Sequence, residues 1–125
     1  MPDNEWRQWA DASLSAVDRQ IKDAQRQAET ATTFRADLDQ VRGRAVSRHG
    51  EVTAVADTTG RLLDLRLTDA ALHRDPHALA TLVVSTTDEA RRQAADRALA
   101  LAEEAFGPGS ALTARLAAEL EPDRP

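Results

Sequence analysis

No glycine or proline interrupts the chain between Asp3 and Arg42. Across that run the apolar residues Leu14, Val17, Ile21, Ala24, Ala28, Ala31, Phe34, Leu38 and Val41 follow one another at steps of three or four. This is the rhythm of one helix face carrying a coiled-coil-like seam. The spacing predicts a helix over about residues 4–42, with Gly43 as its stop. Its weakest point is Thr30–Phe34, where β-branched residues lower helix propensity. A helix of that size is roughly 57 Å long at 1.5 Å per residue. A compact globule of this chain length is only about 36 Å across. The helix should therefore outrun its own domain and leave part of the seam in water, the usual mark of an interface.

Two arrangements would relieve that exposure. Two copies could associate about a two-fold axis, or helix 1 could break near Thr30–Thr33 and fold back as a hairpin. The first is the expectation adopted. Its interface would take in Val17, Ile21, Phe34, Leu38, Val52, Leu65 and Leu82. Trp6 and Trp9, three residues apart, share a helix face and read either as a packing anchor at the helix end or as a partner-binding pair.

Strands follow the helix. "RAVSRH" (Arg44–His49) is short and broken by Gly50, and "EVTAVAD" places Val52, Ala54 and Ala56 on one side. "DTTG" (Asp57–Gly60) is a tight-turn sequence. In "RLLDLRL" the alternation puts Leu63, Leu65 and Leu67 toward the core and Leu62, Asp64 and Arg66 away. The result is a three-stranded antiparallel meander over about 44–68. Asp75 as N-cap with Pro76 at the first helical position then starts a second long helix, about 76–105. Its buried stripe should be Leu79, Leu82, Val83, Thr86, Ala90, Ala94, Leu101 and Ala105. Gly107-Pro108-Gly109 ends it, a short helix occupies about 110–120, and the tail "EPDRP" should be disordered. The fold class is α+β in a single domain over 1–125, dimeric with helical arms.

Composition narrows what such a fold can do. Twenty-five alanines stand against 27 larger apolar residues, so little area is buried per residue and a monomeric core would be thin. Without cysteine, disulfides and thiolate metal sites are excluded. No apolar run approaches a membrane span, and no signal-type segment follows Met1, so a soluble cytoplasmic protein without membrane contact is expected. Net charge is −5, which argues against a basic protein that coats nucleic acid indiscriminately. The charge is uneven, however. Residues 42–74 carry +2, against −3 before them and −4 after them.

The stretch "EVTAVADTTGRLLDLRLTDAAL" followed by "DPHALATLVVSTTDEARRQAADRA" resembles the YbaB/EbfC family of nucleoid-associated DNA-binding proteins. A V-x-V-like strand, a tight turn to glycine, an alternating strand ending in L-T-D and a helix over the L-V pair are similar to that family's middle section, from about Ile21 to Phe106. The resemblance implies a homodimer with helical arms that binds DNA at the nucleoid. This chain departs from it in being acidic, with aspartates in helix 1 where relatives carry Lys and Gln. A dimeric adaptor or secretion-associated accessory protein, binding other proteins through the arms, is the alternative.

For duplex DNA the candidate residues are Arg42, Arg44, Arg48, Arg61 and Arg66, with His49 beside them. Clustered guanidinium groups are what phosphate contact requires, and a dimer presents them twice. Arg91-Arg92 is a second candidate pair, and pairing of the arginines with Asp37, Asp39, Asp57 and Asp64 is the competing expectation. The missing helix-turn-helix and finger signatures imply backbone contact with little sequence specificity. His73 and His77 have helical ligand spacing, but Pro76 leaves His73 outside the helix, so "HRDPH" reads as a capped opening turn and no metal is expected. No nucleophile motif, phosphate-cradling loop or H-E-x-x-H is present, so neither catalysis nor a cofactor is expected.

Overall fold

The computed structural model describes residues 3–120; the tail expected to be disordered, 121–125, lies outside them. The chain divides into two compact units, Met1–Thr33 and Phe34–Pro125. Helix α1, Asp3–Gln40, begins in the first and ends in the second.

The first unit is helical throughout its described length. The β-branched stretch does not break it: the Thr32 hydroxyl donates to the Ala28 carbonyl at 2.9 Å, so the polar side chain is satisfied by the helix itself. The fold-back hairpin at Thr30–Thr33 is thus not adopted. Lys22–Asp18 and Arg26–Asp23 form exposed ion pairs of 3.1 and 3.3 Å along the helix, each contributing only a few tenths of a kcal/mol. Leu14, Val17 and Ile21 are at least half exposed. Trp6 and Trp9 are each 68% exposed, so neither is packed within the first unit.

In the second unit α1 ends at Gln40, two residues before the expected boundary. The Arg42 guanidinium donates to the carbonyls of Asp39 and Val41 at 2.9 and 2.8 Å, satisfying acceptors that the helix end leaves open. Gly43 is not the stop; it is the first residue of strand β1, Gly43–Val46. Strands β2 (Val52–Ala56) and β3 (Leu62–Leu67) complete an antiparallel meander in the order β1-β2-β3. A one-turn helix α2, Asp69–Leu72, capped by the Thr68 hydroxyl, was not foreseen. Helix α3, Pro76–Phe106, starts as expected: the Asp75 carboxylate accepts from the amides of His77 and Ala78 at 3.1 and 3.2 Å. Helix α4, Ala111–Leu120, opens with the Ser110 hydroxyl accepting from the Thr113 amide at 3.0 Å.

The core lies between α3 and one face of the sheet. Ala45, Ala54, Ala56 and Ala90 form its centre with Leu62 packed against them. Helix α3 rests on β1 and β2, and its buried residues are Thr86, Thr87, Ala90, Ala94, Ala95, Ala98 and Ala102. Alanine side chains let the helix approach the strands closely. The expected stripe included the buried Thr86, Ala90 and Ala94 but missed Thr87, Ala95, Ala98 and Ala102, while its Leu79, Leu82, Val83, Leu101 and Ala105 are only half-buried.

The parity of β3 follows expectation at Leu65 and Leu67 and departs from it at Leu63. Leu62 pairs with Ala56 and Asp64 with Val55, so Leu63 is an extra residue at a bulge. Leu62 therefore turns to the core and Leu63 does not. Leu65 and Leu67 stand opposite the fully buried Ala54 and Val52 and share their face, yet they remain 37% and 39% exposed. The helix that covers β1 and β2 leaves them uncovered.

Arg74 clamps the β1–β2 hairpin to the segment before α3. Its Nη2 donates to Glu51 Oε1 at 2.6 Å and its Nε donates to Oε2. The Arg74 hydrogen bonds hold the Glu51 carboxyl below the usual carboxylate range. A carboxyl depressed in the folded state contributes stability that is present above its unfolded pKa, about 4.3, and is lost as pH falls through the folded value. Melting curves should therefore show Glu51→Gln less stable than wild type at pH 7, with the gap closing in acid.

Candidate nucleic-acid interface

The five arginines proposed from the sequence all lie on the second unit, but not as one cluster. Strand register separates them. Gly43 pairs with Ala56, so Arg42 and Arg61 sit at the end of the sheet that carries the Asp57–Gly60 turn. Arg48 and His49 occupy the β1–β2 hairpin at the other end, roughly 17 Å away along a five-residue strand. Between them, the face turned away from α3 carries two cross-strand rows, Arg44–Val55–Asp64 and Val46–Thr53–Arg66. The basic groups thus form a stripe along the open face and both ends of the sheet.

Not every guanidinium in the stripe is free. Arg42 is engaged by the carbonyls of Asp39 and Val41 around the end of α1, and its charge also contributes to the depressed pKa of Asp57. The chief cause of that depression is the Thr59 hydroxyl, which donates to Asp57 Oδ1 at 2.7 Å, reinforced by the Arg61 and Thr59 amides. Asp57 therefore organises the turn and does not pair with Arg61. Arg66 contacts Asp64 at 3.0 Å in an exposed pair, weak enough to exchange for a phosphate. Among the described residues the side chains of Arg44, Arg48 and Arg61 have no ion pair or hydrogen bond, and all three are exposed.

The second candidate pair serves the fold instead. Arg91 Nε donates to the Gly60 carbonyl at 2.7 Å and its Nη1 lies 3.5 Å from Asp88; Arg92 pairs with Glu89 at 2.8 Å. Arg97, not singled out in the sequence, donates to the Arg42 carbonyl, and the Arg44 amide donates to Gln93 Oε1 at 3.3 Å. These bonds tie α3 to the sheet edge that carries the stripe. A cleft of about 580 Å³, also unforeseen, is lined by Leu38, Gly60, Arg91, Ala95, Leu116 and Leu120 among others.

The residues expected at a dimer interface are similarly divided. Val17, Ile21 and Leu65 are exposed. Phe34 packs edge-on against Phe106, ring centres 5.1 Å apart, and Leu38 and Leu82 are half-buried. Val52 is completely buried beneath its own α3 and offers no surface to a partner, a correction to the expected interface. His73 Nδ1 lies 2.7 Å from the Asp69 carbonyl at the end of α2. No group of three or more His, Asp or Glu side chains is arranged to hold a metal among the described residues.

No described helix is long and apolar enough to cross a membrane. A search of curated proteins gives no match to the chain. The family model described as the YbaB/EbfC DNA-binding family matches residues 14–108. That span takes in the α1 seam, the whole meander with its arginine stripe, and α3. The chain belongs to the YbaB/EbfC DNA-binding family.

Proposed function

We propose that this protein is a non-enzymatic homodimer that binds duplex DNA at the nucleoid through phosphate contacts, with little sequence specificity. The observation that carries the reading is the set of unpaired arginines, Arg44 on the sheet face that α3 leaves open and Arg48 and Arg61 at its two ends. Guanidinium groups without internal partners offer planar donors to phosphate oxygens. Their spread along the sheet, in a chain of net charge −5, confines DNA to one surface. Dimerisation is supported by Leu65 and Leu67, which continue the core face of the sheet beyond the helix that covers it.

A gel shift with duplex DNA tests this. Wild type should retain DNA at 50 mM salt and lose affinity more than tenfold by 200 mM. Arg44→Glu, Arg48→Glu and Arg61→Glu together should abolish retention while leaving the circular dichroism spectrum unchanged. Undiminished retention by the triple variant would remove the stripe from the interface. The exposed Trp6–Trp9 pair favours a second reading, an adaptor that docks other proteins on the arm. That reading requires no DNA retention at either salt concentration.

A further inference from the structure

The seam on α1 is used in two ways. From Leu14 to Ala31 its positions keep strict heptad spacing: Leu14, Ile21 and Ala28 at one core position, Val17, Ala24 and Ala31 at the other. Phe34 then falls three residues on, out of register, and Phe34, Leu38 and Val41 are half-buried within the second unit. The heptad stretch of the first unit has no such cover. All six of its positions are exposed.

Size along this stretch is polarised. The N-terminal half is large (Leu14, Val17, Ile21), and the C-terminal half is alanine throughout. Two parallel copies would set large against large at one end and alanine against alanine at the other. No single interhelical distance serves both ends. Two antiparallel copies set Leu14 against Ala31, Val17 against Ala28 and Ile21 against Ala24, so all six layers pair one large residue with one small one. That alternation fills a helix–helix interface evenly. The flanking positions agree. In the antiparallel register Asp18 faces Gln25, whose carboxamide can donate to the carboxylate, and Gln20 faces Gln27. No like charges oppose one another. The charged side chains Lys22, Asp23 and Arg26 are turned outward, engaged in ion pairs along their own helix.

From this self-complementarity we infer that residues 14–31 of the arm pair antiparallel with the same residues of a second copy. The contact is separate from the β3 leucines and from the arginine stripe, and it gives the protein a second self-association surface. Proteins holding DNA on the sheet would thereby join to one another through their arms. A seam of this length, roughly 27 Å, is short for a stable coiled coil, so the pairing should be reversible and concentration-dependent.

The absence of cysteine from the sequence permits a direct test. Val17→Cys and Ala28→Cys variants of the full chain, one carrying a size tag, are oxidised separately and as a mixture. Antiparallel pairing gives a crosslink between the two variants in the mixture, and little from either alone, because like positions lie about 16 Å apart along the axis. Crosslinking of each variant to itself would overturn the proposal in favour of a parallel pair. Absence of any crosslink, or equal crosslinking of Lys22→Cys with Asp23→Cys on the outer face, would also overturn it. None of these outcomes depends on DNA binding, so failure here leaves the reading of the arginine stripe standing.

Discussion

Adding one methyl group at Gly43 is expected to destabilise this protein by about 3–5 kcal/mol, more than most single substitutions do. A Cβ built on Gly43 would lie 1.9 Å from the Ala90 carbonyl oxygen and 2.5 Å from the Ala94 amide nitrogen. Both are backbone atoms of α3, so no side chain can swing aside. The helix would have to lift from β1 by more than an ångström, and Ala45, Ala54, Ala56 and Ala90, the centre of the core, would part with it. Domain stabilities are commonly about 5–15 kcal/mol, and a core built from alanine has little in reserve. Urea denaturation followed by circular dichroism reads the effect. Gly60→Ala is the informative comparison. Gly60 has φ of 85° with open space around the position of a Cβ, so alanine there meets only left-handed backbone strain, about 1–2 kcal/mol. Equal stability of Gly43→Ala and wild type would mean that strand and helix do not meet this closely.

Gly43 also marks what the sequence could and could not reveal. A glycine between a helical run and a strand reads as a helix stop, because chain punctuation is local and visible. Its close approach to α3 is a contact across some fifty residues of chain, and nothing nearby announces it. The long helices were legible for the opposite reason: α1 from its freedom from glycine and proline, α3 from Asp75-Pro76 and the apolar period behind it. Strand β3 was legible in existence and, at Leu65 and Leu67, in phase, but not at its bulged start. "RLLDLRL" alternates cleanly if read from Leu63, and the bulge that hands the core position to Leu62 depends on register against β2. The arginines show the same limit. Arg42, Arg91 and Arg97 bind backbone carbonyls, acceptors that every residue carries and no sequence pattern singles out. The ones left for a ligand could be identified only after those had been subtracted.

The proposed dimer should be visible in the salt dependence of DNA binding. If each protomer neutralises about three phosphates with Arg44, Arg48 and Arg61, a dimer engages about six, and the slope of log K against log salt is about −5. Affinity then falls roughly a thousandfold between 50 and 200 mM. A single protomer should give a slope of about −3 and a loss of roughly fortyfold over the same interval. Leu65→Gln with Leu67→Gln separates the cases, because it makes the uncovered β3 face polar without adding charge near the DNA. Both side chains are already more than a third exposed, so the fold of the single chain should survive with an unchanged denaturant slope. At concentrations too low for the arms to pair, light scattering of wild type should give twice the chain mass through the β3 contact, and the double variant should give the mass of one chain. Its salt slope should fall by half at the same time. A variant still dimeric through its sheet would show that the β3 leucines are not the interface. A monomer that kept the steep slope would show that dimerisation does not double the phosphate contacts, and that the stripe of one protomer is not the whole of its DNA surface.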